Sequence, residues 1–246
     1  MPYAAVNDVK IYYEELGRGD VVLFLHSGFS RGILAFGAQI QPFQGKYRCL
    51  FPDFRGHGRT LCEDLTWDSR RIADDMIRFL DELKIDRVHL IGYSLGAGVG
   101  MYMAANNPER VRSLTAIGAS VAPVPDGAED YLPEKLIERN EFETIEDMKL
   151  RHLDAHRGNW QEFMRQSVDD WLKHPNLTEE EWKAITCPVF FISGEFDPFS
   201  SCNELKEKCP HAELFEAAGC GHRPHFVMEQ GKEINQLIFN FLGKIE

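Results

Sequence analysis

The most restrictive feature of this sequence is the alternation of short, nearly continuous apolar runs with longer amphipathic ones. Val21–His26, Tyr47–Phe54, Val88–Tyr93, Leu114–Ala119, Pro188–Gly194 and Glu213–Ala217 are strand-length runs of this kind. They suit strands buried on both faces, as when helices cover a parallel sheet; a strand with one wet face would alternate. Val9–Glu15 does alternate and reads as a half-exposed strand, turned by Gly17-Arg18-Gly19-Asp20. Between the strands lie helix candidates at Ile33–Phe43, Ser69–Leu83, Leu95–Ala105, Cys202–Lys208 and Phe226–Leu242. In the second, Ile72, Met76, Phe79, Leu80 and Leu83 share one face while Asp74, Asp75, Arg78, Asp81 and Glu82 face water. The repetition predicts an α/β fold with a doubly wound, mostly parallel sheet flanked by helices.

One stretch breaks the rhythm. Residues 120–186 contain no convincing strand, only helix-like sequence rich in Glu, Leu and Trp, with 16 acidic against 8 basic side chains. It opens on the breakers Pro123, Pro125 and Gly127 and closes at Cys187-Pro188. We read residues 1–119 and 187–246 as the core and 120–186 as a helical cap inserted between two strands. Such an insertion lies over the carboxyl ends of the strands, where open α/β sheets bind ligands.

Charge and composition exclude several classes of function. The formal net charge is −12 at pH 7, with no basic run, so a polyanion would be repelled and no nucleic-acid partner is expected. The longest apolar stretches fall far short of the ~20 residues of a membrane-spanning helix, so no membrane insertion is expected. Met1–Asp8 lacks a basic segment followed by an apolar one, which argues against a secretory leader. Six scattered cysteines without a CxxC pair fit reduced thiols and a cytoplasmic location.

The chemistry is concentrated in Gly92-Tyr93-Ser94-Leu95-Gly96, a G-x-S-x-G between the strand Val88–Ile91 and the helix from Ala97. The motif alone would arise by chance about 0.07 times in a chain of this composition; its strand–turn–helix setting is much rarer. So tight a turn strains the backbone of the central serine and leaves no room for bulk two residues to either side. A serine hydroxyl also needs a base, itself oriented by a third group. His222 follows the strand Glu213–Ala217 and is the candidate base; His225, just after Pro224, is the rival and better placed for packing. A zinc site built on these two histidines would lack further ligands, so no metal is expected. Two carboxylates follow Pro188–Gly194: Asp197, past the strand end, is the preferred acid, and Glu195 is the alternative. Oxyanion donors are expected at the N–H of Leu95 and at Gly28 or its neighbour, in the loop after Val21–Leu25.

With these residues in place, the sequence resembles the α/β-hydrolase fold superfamily over nearly its whole length, in the branch that carries a helical cap. Pro52–Thr60 is similar to that branch's D-x-R-G-H-G-x-S loop, Asn107–Val111 to its P-E-R-V turn and Gly219–His222 to its G-x-G-H loop. His26-Ser27 stands where His-Gly is usual, and Thr60 where Ser is usual. By match to the motifs, the resemblance implies Ser94 as nucleophile, Asp197 as acid, His222 as base, and Gly28 and Leu95 as oxyanion donors. Similar dehalogenases and epoxide hydrolases carry Asp at the elbow, so Ser94 implies attack on an acyl carbon.

The expected activity is therefore that of a carboxylesterase-like serine hydrolase acting on a small neutral ester through an acyl-enzyme. An enol-lactone or C–C bond hydrolase is the alternative, because Asp53–Arg59 also resembles the loop of 3-oxoadipate enol-lactonases; a small-molecule receptor or lyase retaining the triad is a third reading. Phe29, Tyr93, Trp160, Phe163 and Trp171 are the expected pocket residues. The expected partner is a small-molecule substrate, with no cofactor, and a homo-oligomer is compatible with the sequence.

Overall fold

A computed structural model describes residues 3–226 and 228–245. Nine strands form one sheet: β1 (Tyr3–Val6), β2 (Val9–Leu16), β3 (Val21–Leu25), β4 (Arg48–Pro52), β5 (Leu61–Cys62), β6 (Val88–Tyr93), β7 (Val111–Ile117), β8 (Val189–Gly194) and β9 (Glu213–Ala217). Their order is β1-β2-β4-β3-β6-β7-β8-β9, with β5 paired to β2. From β4 to β9 every pairing is parallel; β2 is antiparallel to each of its partners. This is the doubly wound, mostly parallel sheet that the apolar runs predict.

The helices are α1 (Gly37–Gln44), α2 (Ser69–Glu82), α3 (Leu95–Asn106), α4 (Pro133–Glu138), α5 (Phe142–Arg151), α6 (Leu153–His156), α7 (Trp160–Lys173), α8 (Glu179–Ala184), α9 (Cys202–Lys208) and α10 (Gly231–Leu242). Alternate residues of β3 show how the sheet is covered. Leu23 and Leu25 pack with α2 and α3 on one face, and Val22 and Phe24 pack with Phe43 of α1 and Ile238 of α10 on the other. Asp68 caps α2 by accepting the Arg71 N–H at 2.8 Å, and the apolar face of the helix meets the core. By contrast α3 is buried from Gly96 to Ala105, which explains why its sequence shows no polar face.

Several expectations shift. Tyr3–Val6 and Leu61–Cys62 are strands too short to stand out, and β7 starts at Val111 rather than Leu114. The helix expected over Ile33–Phe43 is a 3₁₀ turn, Gly32–Phe36, followed by α1. Pro42 lies inside α1 and cannot donate to the Ala38 carbonyl one turn back; Asn235 Nδ2 donates to that carbonyl instead, at 2.8 Å, tying α1 to α10. The last helix starts at Gly231 rather than Phe226, and Val227 of the expected span lies outside the described residues.

The segment between β7 and β8 forms no strand among its residues; it runs through α4 to α7 and returns by way of α8, which packs on α3. Its aromatic residues pack partly among themselves. No helix among the described residues is long and apolar enough to cross a membrane.

Candidate active site

The chain order places a topological switch beside β3. From β3 the chain moves outward to β4, then returns to pair β6 on the other side of β3, with Leu25 opposite Gly92. The loops leaving these two neighbouring strands diverge and leave a crevice at their carboxyl ends. Ser27-Gly28-Phe29 follows β3 and Ser94 follows β6, so both stand at that crevice.

Ser94 has φ +55° and ψ −118°, a conformation that L-residues rarely adopt and that costs on the order of 1–3 kcal/mol. Its N–H donates to the Ile117 carbonyl at 2.9 Å, and its carbonyl accepts from Ala97 at 2.8 Å, so sheet and helix hold the turn from both sides. The flanking glycines are required by contact: a Cβ on Gly96 would lie 1.9 Å from the Leu25 carbonyl oxygen, and one on Gly92 would lie 2.3 Å from that of Gly96. The turn therefore projects the serine hydroxyl clear of the sheet.

Three side chains predicted from distant parts of the sequence meet there. His222 Nε2 lies 2.9 Å from Ser94 Oγ, and His222 Nδ1 lies 2.9 Å from Asp197 Oδ2 and 3.0 Å from its Oδ1. With its proton on Nδ1, held by the carboxylate, the imidazole presents a bare Nε2 to the serine hydroxyl. The Asp197 side chain is wholly buried and also accepts the Phe199 N–H at 2.9 Å, which fixes its direction. The ring of His222 is held between Tyr93 and Phe199, with centroids 5.2 and 5.0 Å away. Burial pushes the Tyr93 phenol well above its usual range, so it is neutral beside the imidazole.

The rival groups are engaged elsewhere. His225 is fully buried with Nε2 3.1 Å from the Ala35 carbonyl, and Glu195 accepts the Gly219 N–H at 2.8 Å at the surface. His26 is also fully buried. Its Nδ1 donates to the Ser27 carbonyl at 2.8 Å and its Nε2 accepts the Phe54 N–H at 3.0 Å, so it braces the β3 loop. Burial lowers His26 and His225 to about 3, which keeps both rings neutral.

Above Ser94 is a cavity of about 680 Å³. Gly28 and Leu95 share its wall with the serine, and the Leu95 N–H is the first of α3, without a partner inside the helix. Of the pocket residues expected from sequence, Phe29, Tyr93 and Trp171 line the cavity. Trp160 and Phe163 do not: Phe163 stacks on His152 with centroids 4.1 Å apart, and Trp160 is buried beneath Lys149. Trp160 points into the packing of the helical segment, while Phe163 also meets His57 of the loop after β4 edge-on at 5.2 Å and so fills the seam between segment and core rather than the cavity.

The sequence reading missed Tyr131, which stacks on Phe29 at 4.9 Å, and Phe199, which meets Trp171 edge-on at 5.6 Å. It also missed Ser167, Asp170 and His174 in the wall. A signal for Ser167 and Asp170 was present, since they stand three apart on one face of a helix that starts at Trp160; His174 follows that helix in extended backbone.

Residues 22–237 match the alpha/beta hydrolase family, and the chain belongs to that family. Over 117 residues it is 34% identical to the provisionally named carbamate hydrolase RutD of Azorhizobium caulinodans, a stretch that covers 48% of this chain and 44% of that protein. The chain thus matches less than half the length of that relative. It is 26% identical to the 2-hydroxy-6-oxo-6-phenylhexa-2,4-dienoate hydrolase of Comamonas testosteroni over 96% of this chain and 92% of that one. Among solved structures, a thermophilic esterase from Thermogutta terrifontis superposes with a TM-score of 0.78 at 22% identity, covering 99% of this chain and 98% of the other; this bears on the fold alone.

Proposed function

We propose that this chain is a serine hydrolase of small carboxylic esters, with Ser94 as nucleophile, His222 as general base and Asp197 as the group that orients it. The observation that carries this reading is the continuous hydrogen-bonded path from Ser94 Oγ through the imidazole to the buried Asp197 carboxylate. In this mechanism Nε2 of His222 takes the hydroxyl proton as Oγ attacks the acyl carbon. The N–H groups of Gly28 and Leu95 receive the developing oxyanion. The imidazolium then protonates the departing alcohol, and a water activated by the same ring releases the acid. The helical segment 120–186 acts as a cap that supplies much of the cavity wall. The six unpaired cysteines support a reducing, cytoplasmic setting.

The test is hydrolysis of p-nitrophenyl acetate and butyrate, together with labelling by a fluorophosphonate, on wild type and Ser94→Ala. Rapid p-nitrophenol release and a single label at Ser94, both lost in the variant, are expected. A label elsewhere, or hydrolysis that survives in Ser94→Ala, refutes the assignment.

A second reading, C–C bond or enol-lactone hydrolysis, draws on the Comamonas testosteroni relative and on Arg223. This side chain lies in the cavity wall and forms no ion pair among the described residues, so it can receive a substrate carboxylate. Turnover of a vinylogous 1,5-diketone acid faster than of any simple ester would favour it.

A further inference from the structure

The cavity is aromatic around Ser94 and polar at its far end. Gly98, one helical turn along α3 and about 6 Å from Ser94, marks the change; an added Cβ there would lie 3.8 Å from Pro175 Cβ. Beside Pro175 the wall holds Ser69, Ser167, Asp170 and His174. Whatever protons these side chains carry are already committed. The Ser69 hydroxyl donates to Asp170 Oδ2 at 2.8 Å, and the Ser167 hydroxyl donates to the Phe163 carbonyl at 2.8 Å. The Tyr102 hydroxyl accepts the Asn176 N–H at 2.7 Å and donates its one proton to Asn176 Oδ1 at 2.8 Å. His174 Nδ1, 2.9 Å from that hydroxyl, is therefore the donor to it, and His174 Nε2 is bare. Burial lowers His174, which favours this neutral ring. The indole N–H of Trp67 is buried against Gly56 and does not face the cavity. Among the described residues, this end of the cavity thus offers side-chain acceptors and no free side-chain donor.

It also offers an unmatched negative charge. Asp170 is only 5% exposed and accepts the Ser69 N–H at 2.6 Å besides the Ser69 hydroxyl, which fills half of the roughly four acceptor positions of a carboxylate. The Ser69 N–H is the first of α2, so the positive end of that helix helps to hold the charge. No cation among the described residues touches Asp170, because Arg70 is engaged by Glu181 and Lys173 by Asp169. The bare His174 Nε2 stands 3.9 Å from Asp170 Oδ1, so two acceptors face each other. A single atom about 2.8 Å from both would see them about 90° apart, an angle that two protons on one tetrahedral nitrogen can serve.

From this geometry we infer that Asp170 and His174 form a specificity subsite for a primary ammonium group, carried by the substrate at the end remote from the scissile carbonyl. One N–H donates to Asp170 Oδ1 and another to His174 Nε2, while the positive charge completes the buried carboxylate. Residues 120–186, with 16 acidic against 8 basic side chains, surround the cavity with a field that draws a cation in. The inference rests on the ester-hydrolase reading for the identity of the scissile bond, but not for the binding of the ammonium. The charged groups around the subsite are Asp68 and Arg70 at the start of α2, and Asp169 and Lys173 on α7; Tyr102 of α3 is kept neutral by burial. Desolvation raises Asp170 to about 7, against the lowering effect of its bonds from Ser69.

The experiment compares p-nitrophenyl 3-[4-(aminomethyl)phenyl]propanoate with its 4-ethylphenyl isostere, and with 4-(hydroxymethyl)phenyl and 4-(trimethylammoniomethyl)phenyl analogues. Acetates of the matching 3-arylpropanols place the ring on the alcohol side. The free acids and alcohols are titrated by calorimetry, so binding is read whether or not turnover occurs. Taking ratios to the ethyl compound cancels every ionisation that both substrates share. In wild type the aminomethyl compound is expected to be favoured about 10–100-fold in one orientation, the value of charge-assisted hydrogen bonds. The preference should grow from about pH 6 to about pH 8 as Asp170 ionises, a window in which an alkylammonium stays charged. The trimethylammonium compound, with charge but no N–H, should gain at most about threefold. The hydroxymethyl compound should gain no more than about threefold, since its one proton serves one acceptor and its oxygen faces the other.

Asp170→Asn keeps an acceptor for the Ser69 N–H but removes the charge; there the aminomethyl preference should fall at least about fivefold and lose its pH dependence. Where that variant does not fold, the wild-type ratios decide the matter. A wild-type aminomethyl ratio near one in both orientations, as when water alone bridges the two acceptors, overturns the inference. So does an equal preference for the hydroxymethyl or the trimethylammonium compound, or an aminomethyl ratio that Asp170→Asn leaves unchanged. Absence of ester hydrolysis and of fluorophosphonate labelling, with the calorimetric preference intact, would instead refute the ester-hydrolase reading.

Discussion

Gly118→Ala tests whether the position of the His222 ring limits reactivity. Gly118 follows β7 with φ +60°, and a Cβ there would lie 2.8 Å from His222 Cε1 and 2.9 Å from its Nδ1. Ordinary contact begins near 3.5 Å, so the ring must retreat by roughly 0.7 Å. It has little space to do so, being bonded to Asp197 on one side and flanked by Tyr93 and Phe199. The 2.9 Å approach of Nε2 to Ser94 Oγ is then lost. Misplacement by about 1 Å lowers rates by about 10²-fold, and we expect that loss in the second-order rate of fluorophosphonate labelling. The strained φ and the contact together should cost about 1–3 kcal/mol of stability, a fall in Tm of roughly 2–12 °C. Gly127→Ala separates the two effects. It has φ +80° with nothing within 4 Å of the added Cβ, so it carries the backbone strain without the collision. It should lower Tm slightly and label at the wild-type rate. Labelling of Gly118→Ala within about threefold of wild type would refute the claim that ring position governs attack.

Other expectations follow from the same geometry. Asp197→Asn should keep the fold and lower kcat by about 10²–10⁴-fold, because the imidazole loses the carboxylate that fixes its tautomer; an unchanged kcat would move the acid role elsewhere. Arg55, 1% exposed, pairs through two nitrogens with the buried Asp75 and through two with Asp8. Arg55→Ala strands the Asp75 carboxylate and should cost about 3–5 kcal/mol in a urea melt, whereas a loss below about 1 kcal/mol would show that water reaches Asp75. His26, His57 and His225 are held neutral by burial, each lowered to about 3, while Asp170 is raised to about 7. Between about pH 6 and pH 4 the unfolded chain binds three more protons at the histidines and one fewer at the aspartate. Stability should therefore fall on acidification by about 2.7 kcal/mol per pH unit from these four groups, and by more with His152, which burial also lowers well below its usual range. A urea midpoint that is flat from pH 7 to pH 4 would contradict this.

The sheet was legible because strands buried on both faces leave unbroken apolar runs, and α2 because its face pattern is strong. Val111–Ser113 was not, since Arg112 interrupts the apolar run; in the fold it reaches the sheet's end and pairs with Asp20 at 3.3 Å. The 3₁₀ turn before α1 was missed because apolar periodicity does not separate an α-helix from a tighter turn of the same face. At the site, Ser94, Asp197 and His222 were readable because each stands just past a strand, where turn chemistry betrays it. The cavity wall was not. An aromatic ring in a helix signals burial but not which neighbour it meets, which is why Trp171 reaches the cavity and Trp160 does not. Asp170 looked like one more charge on an acidic helix.

None of the groups assigned to bond breaking comes from residues 120–186: Ser94, Leu95 and Gly28 rest on β3 and β6, and Asp197 and His222 follow β8 and β9. The cavity wall above them, by contrast, includes Tyr131, Asp170, Trp171 and His174 of the excursion between β7 and β8. Substitutions can accumulate over the reactive centre without disturbing it, so a lineage with this architecture can change its diet while keeping its teeth.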